Sequence, residues 1–199
     1  MNDWVKEAYD CKKYAFAADF IRLFAVYKYG GIYLDSDVEV IKRYDDFLHL
    51  PYFIGFESND KSYLECATFG ASPHMPWIKI CLDYYNNRHF ILPNGEYDTT
   101  VAPQIMKNII DQHYKIIRCD QIPQTYDKTE SLIYIFQSNF FCPKSYFTRR
   151  IRLTKNTYSI HQYTSVWRTP WQKFIIYANF AIILIKQRIN RIFHLFRFK

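Results

Sequence analysis

The stretch Ala15–Ile41, AFAADFIRLFAVYKYGGIYLDSDVEVI, leaves this chain few ways to fold. Phe16, Phe20, Leu23, Phe24 and Tyr27 recur at helical spacing, so the segment reads as a helix with one apolar face. Gly30 and Gly31 suit the end of that helix and a sharp turn, because glycine accepts positive φ at little cost. Ile32-Tyr33-Leu34 is too short for a second helix and apolar enough for a buried strand. Asp35 and Asp37 then stand at the carboxyl end of that strand, where open α/β sheets place their ligand crevice. Two hard oxygen ligands there suit a divalent cation carrying a diphosphate.

These residues resemble the DXD sugar transferases of glycosyltransferase family 32, which include bacterial capsular polysaccharide glycosyltransferases and fungal mannosyltransferases. The likeness runs through an Ala-rich helix with Asp19 and Arg22, and then gaplessly from Tyr27 to Asp37, YKYGGIYLDSD. Weaker echoes follow at Gly55-Phe56-Glu57, Phe141-Cys142-Pro143 and Tyr158-Ser159-Ile160-His161 leading to Trp167. The resemblance covers roughly residues 5–167. It implies an α/β fold of the GT-A type, Rossmann-like, and a domain over residues 1–170. Members of the family begin with a strand of the I-P-K-I-I-H type that helps hold the nucleotide base. This chain opens at MNDWVKEAYD, so it is expected to be N-terminally shortened and to lack the usual first strand.

The resemblance also assigns roles. Asp35 and Asp37 are the catalytic pair and, with His161, the expected ligands of Mn2+ or Mg2+. Asp19, Arg22, Asp35 and Trp167 are the expected contacts of a nucleotide-diphosphate donor, a UDP- or GDP-sugar. An Asp and an Arg three apart share a helix face, and read alone they are a surface ion pair of small worth. A lone histidine is ordinarily structural or solvated, yet imidazole is a common ligand for such cations. In the family the tryptophan directly follows a serine. Here Val166 intervenes, so Ser165 is a doubtful equivalent. Glu57 and Glu65 are acceptor-side acids or plain loop carboxylates.

Elsewhere the pattern alternates strand and helix, which fits an α/β layer fold. Strands are expected at 38–41, 52–56, 66–69, 116–118, 133–136 and 157–160, with a short helical turn at 45–48. Two helices, at 76–85 and 103–114, carry proline in the first turn, where its missing N–H costs nothing. With 199 residues and 20% aromatics, the chain can bury one sizeable core. Five scattered cysteines without a C-x-x-C pair give neither a zinc site nor a disulfide framework, and free thiols point to a reducing compartment. The first residues lack the basic start and apolar run of a signal peptide.

Charge is divided unevenly. Twelve of the 26 Lys and Arg and none of the 19 Asp and Glu lie after Glu130, so residues 131–199 carry +12 and residues 1–130 carry −5. The apolar run Phe174–Ile185 has twelve residues, too few to span a bilayer. Basic and bulky apolar residues interleave from Lys186 to Lys199. Residues 171–199 therefore read as a basic amphipathic helix lying in an anionic membrane surface. The alternative for this tail is a helix packed on the domain.

The expectation for the whole is a metal-dependent, retaining glycosyltransferase of capsular or other surface-polysaccharide assembly, bacterial in source. It acts on a polysaccharide or lipid-linked glycan and sits in the cytoplasm, peripheral on the inner face of the cytoplasmic membrane. The alternative is an inactive truncated remnant serving as a membrane-associated binding module. Nucleic acid is not an expected partner, since the chain holds no nucleic-acid motif despite its basic end.

Overall fold

A computed structural model describes residues 2–60, 62–165, 169–171, 173–178 and 180–182. Helix α1 covers Asp3–Asp10 and α2 covers Tyr14–Tyr29. Strands β1 (Gly31–Leu34) and β2 (Val38–Val40) follow, then a 3-10 turn at Asp45–Phe47. Next come β3 (Tyr52–Phe56), β4 (Leu64–Ala71), α3 (Pro76–Asp83) and α4 (Ala102–His113). The order closes with β5 (Lys115–Cys119), β6 (Leu132–Phe136) and β7 (Ser159–His161). Helical conformation returns within 170–182.

Five strands form one sheet in the order β1-β4-β3-β6-β5, and β2 pairs with β7 in a separate ladder. The sheet is mixed. β1, β4 and β3 run antiparallel, while β3, β6 and β5 run parallel. This α/β layering with a mixed sheet is consistent with a GT-A-like fold, though not with an all-parallel one.

β3 and β4 are buried along their full length, so their apolar runs are covered on both faces. Helix α4 lies against β4, and α3 packs on α2 and α4. An aromatic cluster of Tyr44, Phe47, Phe53, Phe136, Phe141 and Tyr158 fills much of the remaining core, with ring centroids from 4.7 to 6.3 Å apart. The short α1 was not legible as a helix. Its Trp4, Val5 and Ala8 nevertheless form a buried stripe, with Trp4 set edge-on to Tyr85 and Phe90.

β1 departs from the expectation of a buried strand. It is the edge of its sheet, hydrogen-bonded to β4 alone among the described residues, and Ile32 and Leu34 remain 37% and 38% exposed. The glycines do mark the turn, as expected. Gly30 closes α2 at φ +68° and ψ −167°, and Gly31 starts β1 at φ +98°. All five cysteines are free, four of them buried. No helix among the described residues is long and apolar enough to cross a membrane.

Candidate active site

Two ladders assemble the site. In the first, β1 pairs with β4 so that Leu34 faces Thr68, and the next step carries the Asp35 N–H to the Ala67 carbonyl at 2.9 Å. The end of β1 thereby lies beside Glu65 and Cys66 on β4. In the second, β2 pairs with β7 so that Val38 faces His161, and the Gln162 N–H donates to the Asp37 carbonyl at 2.9 Å. The tight turn from Asp35 to Val38, closed by the Val38 N–H on the Asp35 carbonyl at 3.0 Å, joins the two ladders. Both aspartates and the histidine thus line one cleft of about 980 Å³.

One ligand atom from each of Asp35, Asp37 and His161 lies within 4.8 Å of the others. Asp37 accepts at Oδ2 from the Thr164 N–H at 2.8 Å and the Thr164 hydroxyl at 2.9 Å. Its Oδ1 is 3.7 Å from His161 Nε2. Burial works against the Asp37 charge, but the Thr164 N–H and the histidine prevail and hold its pKa below the usual value. Both oxygens of Asp35 are engaged. Oδ2 accepts from Arg22 at 3.0 Å and Oδ1 from the Tyr33 hydroxyl at 2.5 Å. Tyr33 reaches Asp35 because residues two apart on a strand share a face.

Behind His161 stands Glu65, fully buried on β4. Its carboxylate lies 3.3 Å from His161 Nδ1, and Oε1 accepts the Ala67 N–H at 2.7 Å. Although burial opposes the charge, Glu65 and then Asp37 raise the histidine to about 9, while the histidine keeps Glu65 below its ordinary value. With Nδ1–H donated to Glu65, Nε2 is the nitrogen turned toward Asp37. A ligand histidine oriented by a carboxylate is a recurrent arrangement in metal sites. Glu65 is therefore no loop carboxylate: it stands on β4 and holds His161. Cys142 also comes within 4.8 Å of the Glu65 and His161 ligand atoms, yet its Sγ is occupied by the Tyr163 hydroxyl at 2.9 Å. Burial pushes this thiol well up.

Asp19 and Arg22 line the same cleft, but they form no surface pair. Arg22 is 8% exposed. Its guanidinium is spent on Asp19 at 3.1 Å, Asp35 at 3.0 Å and the Cys66 carbonyl at 3.0 Å, leaving it as the clamp of two carboxylates. Asp19 also accepts the Ala102 N–H, in the first turn of α4, at 3.2 Å. Burial pushes Asp19 up to about 6 against the pull of Arg22. Glu57 lines the cleft farther along, and burial together with Glu65 lifts it to about 7. Trp167, expected at the donor, and Val166 before it lie outside the described residues. Ser165 is described and lines the cleft, at φ +45°.

Two oxygen donors and one imidazole are the chemistry that Mn2+ and Mg2+ accept, so this trio fits a divalent cation. Residues 1–53 match the family model described as the glycosyltransferase sugar-binding region containing DXD motif. The chain is similar to glucan organizing enzyme 1 of Cryptococcus neoformans var. grubii, with 45% identity over 51 residues, 26% of this chain and 14% of that protein. It is likewise similar to inositol phosphoceramide mannosyltransferase 3 of Schizosaccharomyces pombe, with 44% identity over 52 residues, 26% of this chain and 15% of that protein. The chain thus spans about a seventh of the length of these curated relatives. The likeness to the glycosyltransferase sugar-binding region that contains the DXD motif thus rests on residues 1–53, about a quarter of the chain.

Proposed function

We propose that this protein is a metal-dependent, retaining glycosyltransferase that moves a sugar from a nucleotide-diphosphate donor, a UDP- or GDP-sugar, to a surface polysaccharide or lipid-linked glycan. The observation that carries the reading is the convergence of Asp35, Asp37 and His161 in one cleft. Those three would hold Mn2+ or Mg2+, which supplies charge neutralisation for a diphosphate and for a departing phosphate oxygen. The chain's own residues do the rest. Arg22 and Tyr33 hold Asp35 in place, Thr164 holds Asp37, and Glu65 turns His161 Nε2 into the cleft. Ordering these ligands in advance lowers the cost of binding the charged donor.

Retention follows the family resemblance and takes the form of front-face transfer, with the leaving phosphate accepting the proton of the acceptor hydroxyl. The names of the two relatives, one a glucan organizing enzyme and the other an inositol phosphoceramide mannosyltransferase, support a glycan or glycolipid acceptor. The basic C-terminal part supports a peripheral site on an anionic membrane, on the cytoplasmic face where lipid-linked acceptors of surface glycans are held. Of the tail assigned to residues 171–199, residues 172, 179 and 183–199 lie outside the described residues.

Calorimetry with UDP- and GDP-sugars, with and without Mn2+, tests the reading. Binding of at least one nucleotide sugar that requires the ion, followed by slow donor consumption, is the expected result. Absence of binding to every nucleotide sugar in saturating Mn2+ contradicts it.

A further inference from the structure

The loop 143–155, PKSYFTRRIRLTK, contains five cations and no acid. It is folded back on itself. Lys144 and Ile151 form a bridge, the Ser145 N–H donates to the Arg150 carbonyl at 2.9 Å, and Arg149 turns the chain at φ +58°. The Arg149 guanidinium ties the turn to the segment after β7, donating to the Gln162 and Tyr163 carbonyls at 3.2 Å. Three apolar side chains on this loop stay in water: Phe147 at 38%, Ile151 at 44% and Leu153 at 58% exposed. Arg150 and Arg152 flank Ile151 in sequence, and neither forms an ion pair with a carboxylate among the described residues.

The helical stretch within 170–182 is seated against this loop. The Phe147 and Phe180 rings stack at 3.8 Å, and those of Tyr146 and Tyr177 at 6.2 Å. The same stretch leaves Trp171 68% and Phe174 61% exposed, with their rings stacked on each other at 5.5 Å. Exposed aliphatic side chains that alternate with arginines along the loop have no counterpart on a nucleic acid, which offers phosphates and base edges. An anionic bilayer offers a partner for both, with headgroup charge for the arginines and acyl chain for the aliphatics.

We propose that loop 143–155, with the helical stretch packed on it, is a docking surface for an anionic lipid bilayer. This rests on the membrane reading of the C-terminal part and adds to it the loop, which lies outside the tail. Phe147, Arg150 and Arg152 also line the cleft, so docking through this loop holds the cleft at the membrane surface, near acceptors held there.

The test is co-sedimentation of the full chain with phosphatidylcholine vesicles and with vesicles that also contain phosphatidylglycerol. The parent partitions onto the anionic vesicles and is released by salt. Arg150→Gln with Arg152→Gln lowers the partition coefficient about twenty-five-fold, since each cation near such a surface contributes about fivefold. Ile151→Gln with Leu153→Gln lowers it on the order of tenfold through lost apolar insertion. Melting curves of both variants establish that they fold, and the loop positions are exposed enough for that. If the parent binds and both variants bind equally well, the loop proposal is overturned while the membrane reading of the tail stands. If the parent ignores anionic vesicles at low salt, both fall. If duplex DNA displaces the parent from the vesicles by binding the same residues, the lipid assignment is overturned.

Discussion

Glu65 has no access to water, yet its charge is retained because His161 Nδ1 and the Ala67 N–H both reach it. Glu65→Gln keeps the shape and removes the charge that orients the imidazole. Mn2+ affinity is expected to fall by about ten- to a hundredfold, the usual cost of losing such a support, with the melting temperature little changed. Titration with Mn2+ followed by electron paramagnetic resonance reads the affinity directly, and an unaltered dissociation constant in a folded variant refutes the role. Glu57 gives a test of opposite character. Its pKa is raised from 4.5 to about 7 by burial and by Glu65, so the folded state holds a proton that the unfolded chain has released. The stability from that proton is present below pH 4.5 and is lost as pH rises through about 7. Glu57→Gln, neutral throughout, should therefore gain in melting temperature relative to the parent as pH rises across this window. Parallel profiles for the two proteins would show that Glu57 is not held protonated.

Among the elements, the turn between α2 and β1 does most to place the site. Gly30, at φ +68° and ψ −167°, occupies a region that only glycine enters freely, and a Cβ there would lie 2.7 Å from Pro73 Cδ. Gly30→Ala should cost about 1–3 kcal/mol in urea unfolding. An alanine variant with an unshifted midpoint contradicts this. That turn was legible because glycine pairs, helical periodicity and a short apolar run are local signals. So were β3, α3, α4, β5 and β6, whose boundaries shift by a residue or two from the pattern. The exposure of β1 was not legible, because an apolar tripeptide looks alike at the centre and at the edge of a sheet. The antiparallel run of β1, β4 and β3 was also hidden, since strand direction depends on distant pairings. At the site, Asp35, Asp37 and His161 were legible through the family motif. The support from Glu65 was not, because it depends on a 96-residue separation in sequence. Arg22 was expected at the donor; that it lines the cleft while bonded to Ala18, Asp19, Asp35 and Cys66 required the folded chain.

Across the whole molecule, charge is sorted by task. The acidic part, residues 1–130, supplies Asp19, Asp35, Asp37, Glu57 and Glu65, all of which line one cleft. The basic part, residues 131–199, supplies His161 and the cationic loop that also lines that cleft. A cation between the two aspartates would offset the concentration of negative charge on the first wall and make the cleft receptive to a diphosphate. Asp37 is the point on which this account turns, because its Oδ1 faces His161 Nε2 and its Oδ2 is already fixed by Thr164. The most direct measurement is Mn2+-dependent donor consumption by Asp37→Asn, alongside circular dichroism of the same sample. The account predicts a loss of about a hundredfold or more with the fold intact; a folded Asp37→Asn protein that consumes the donor at the parent rate contradicts it.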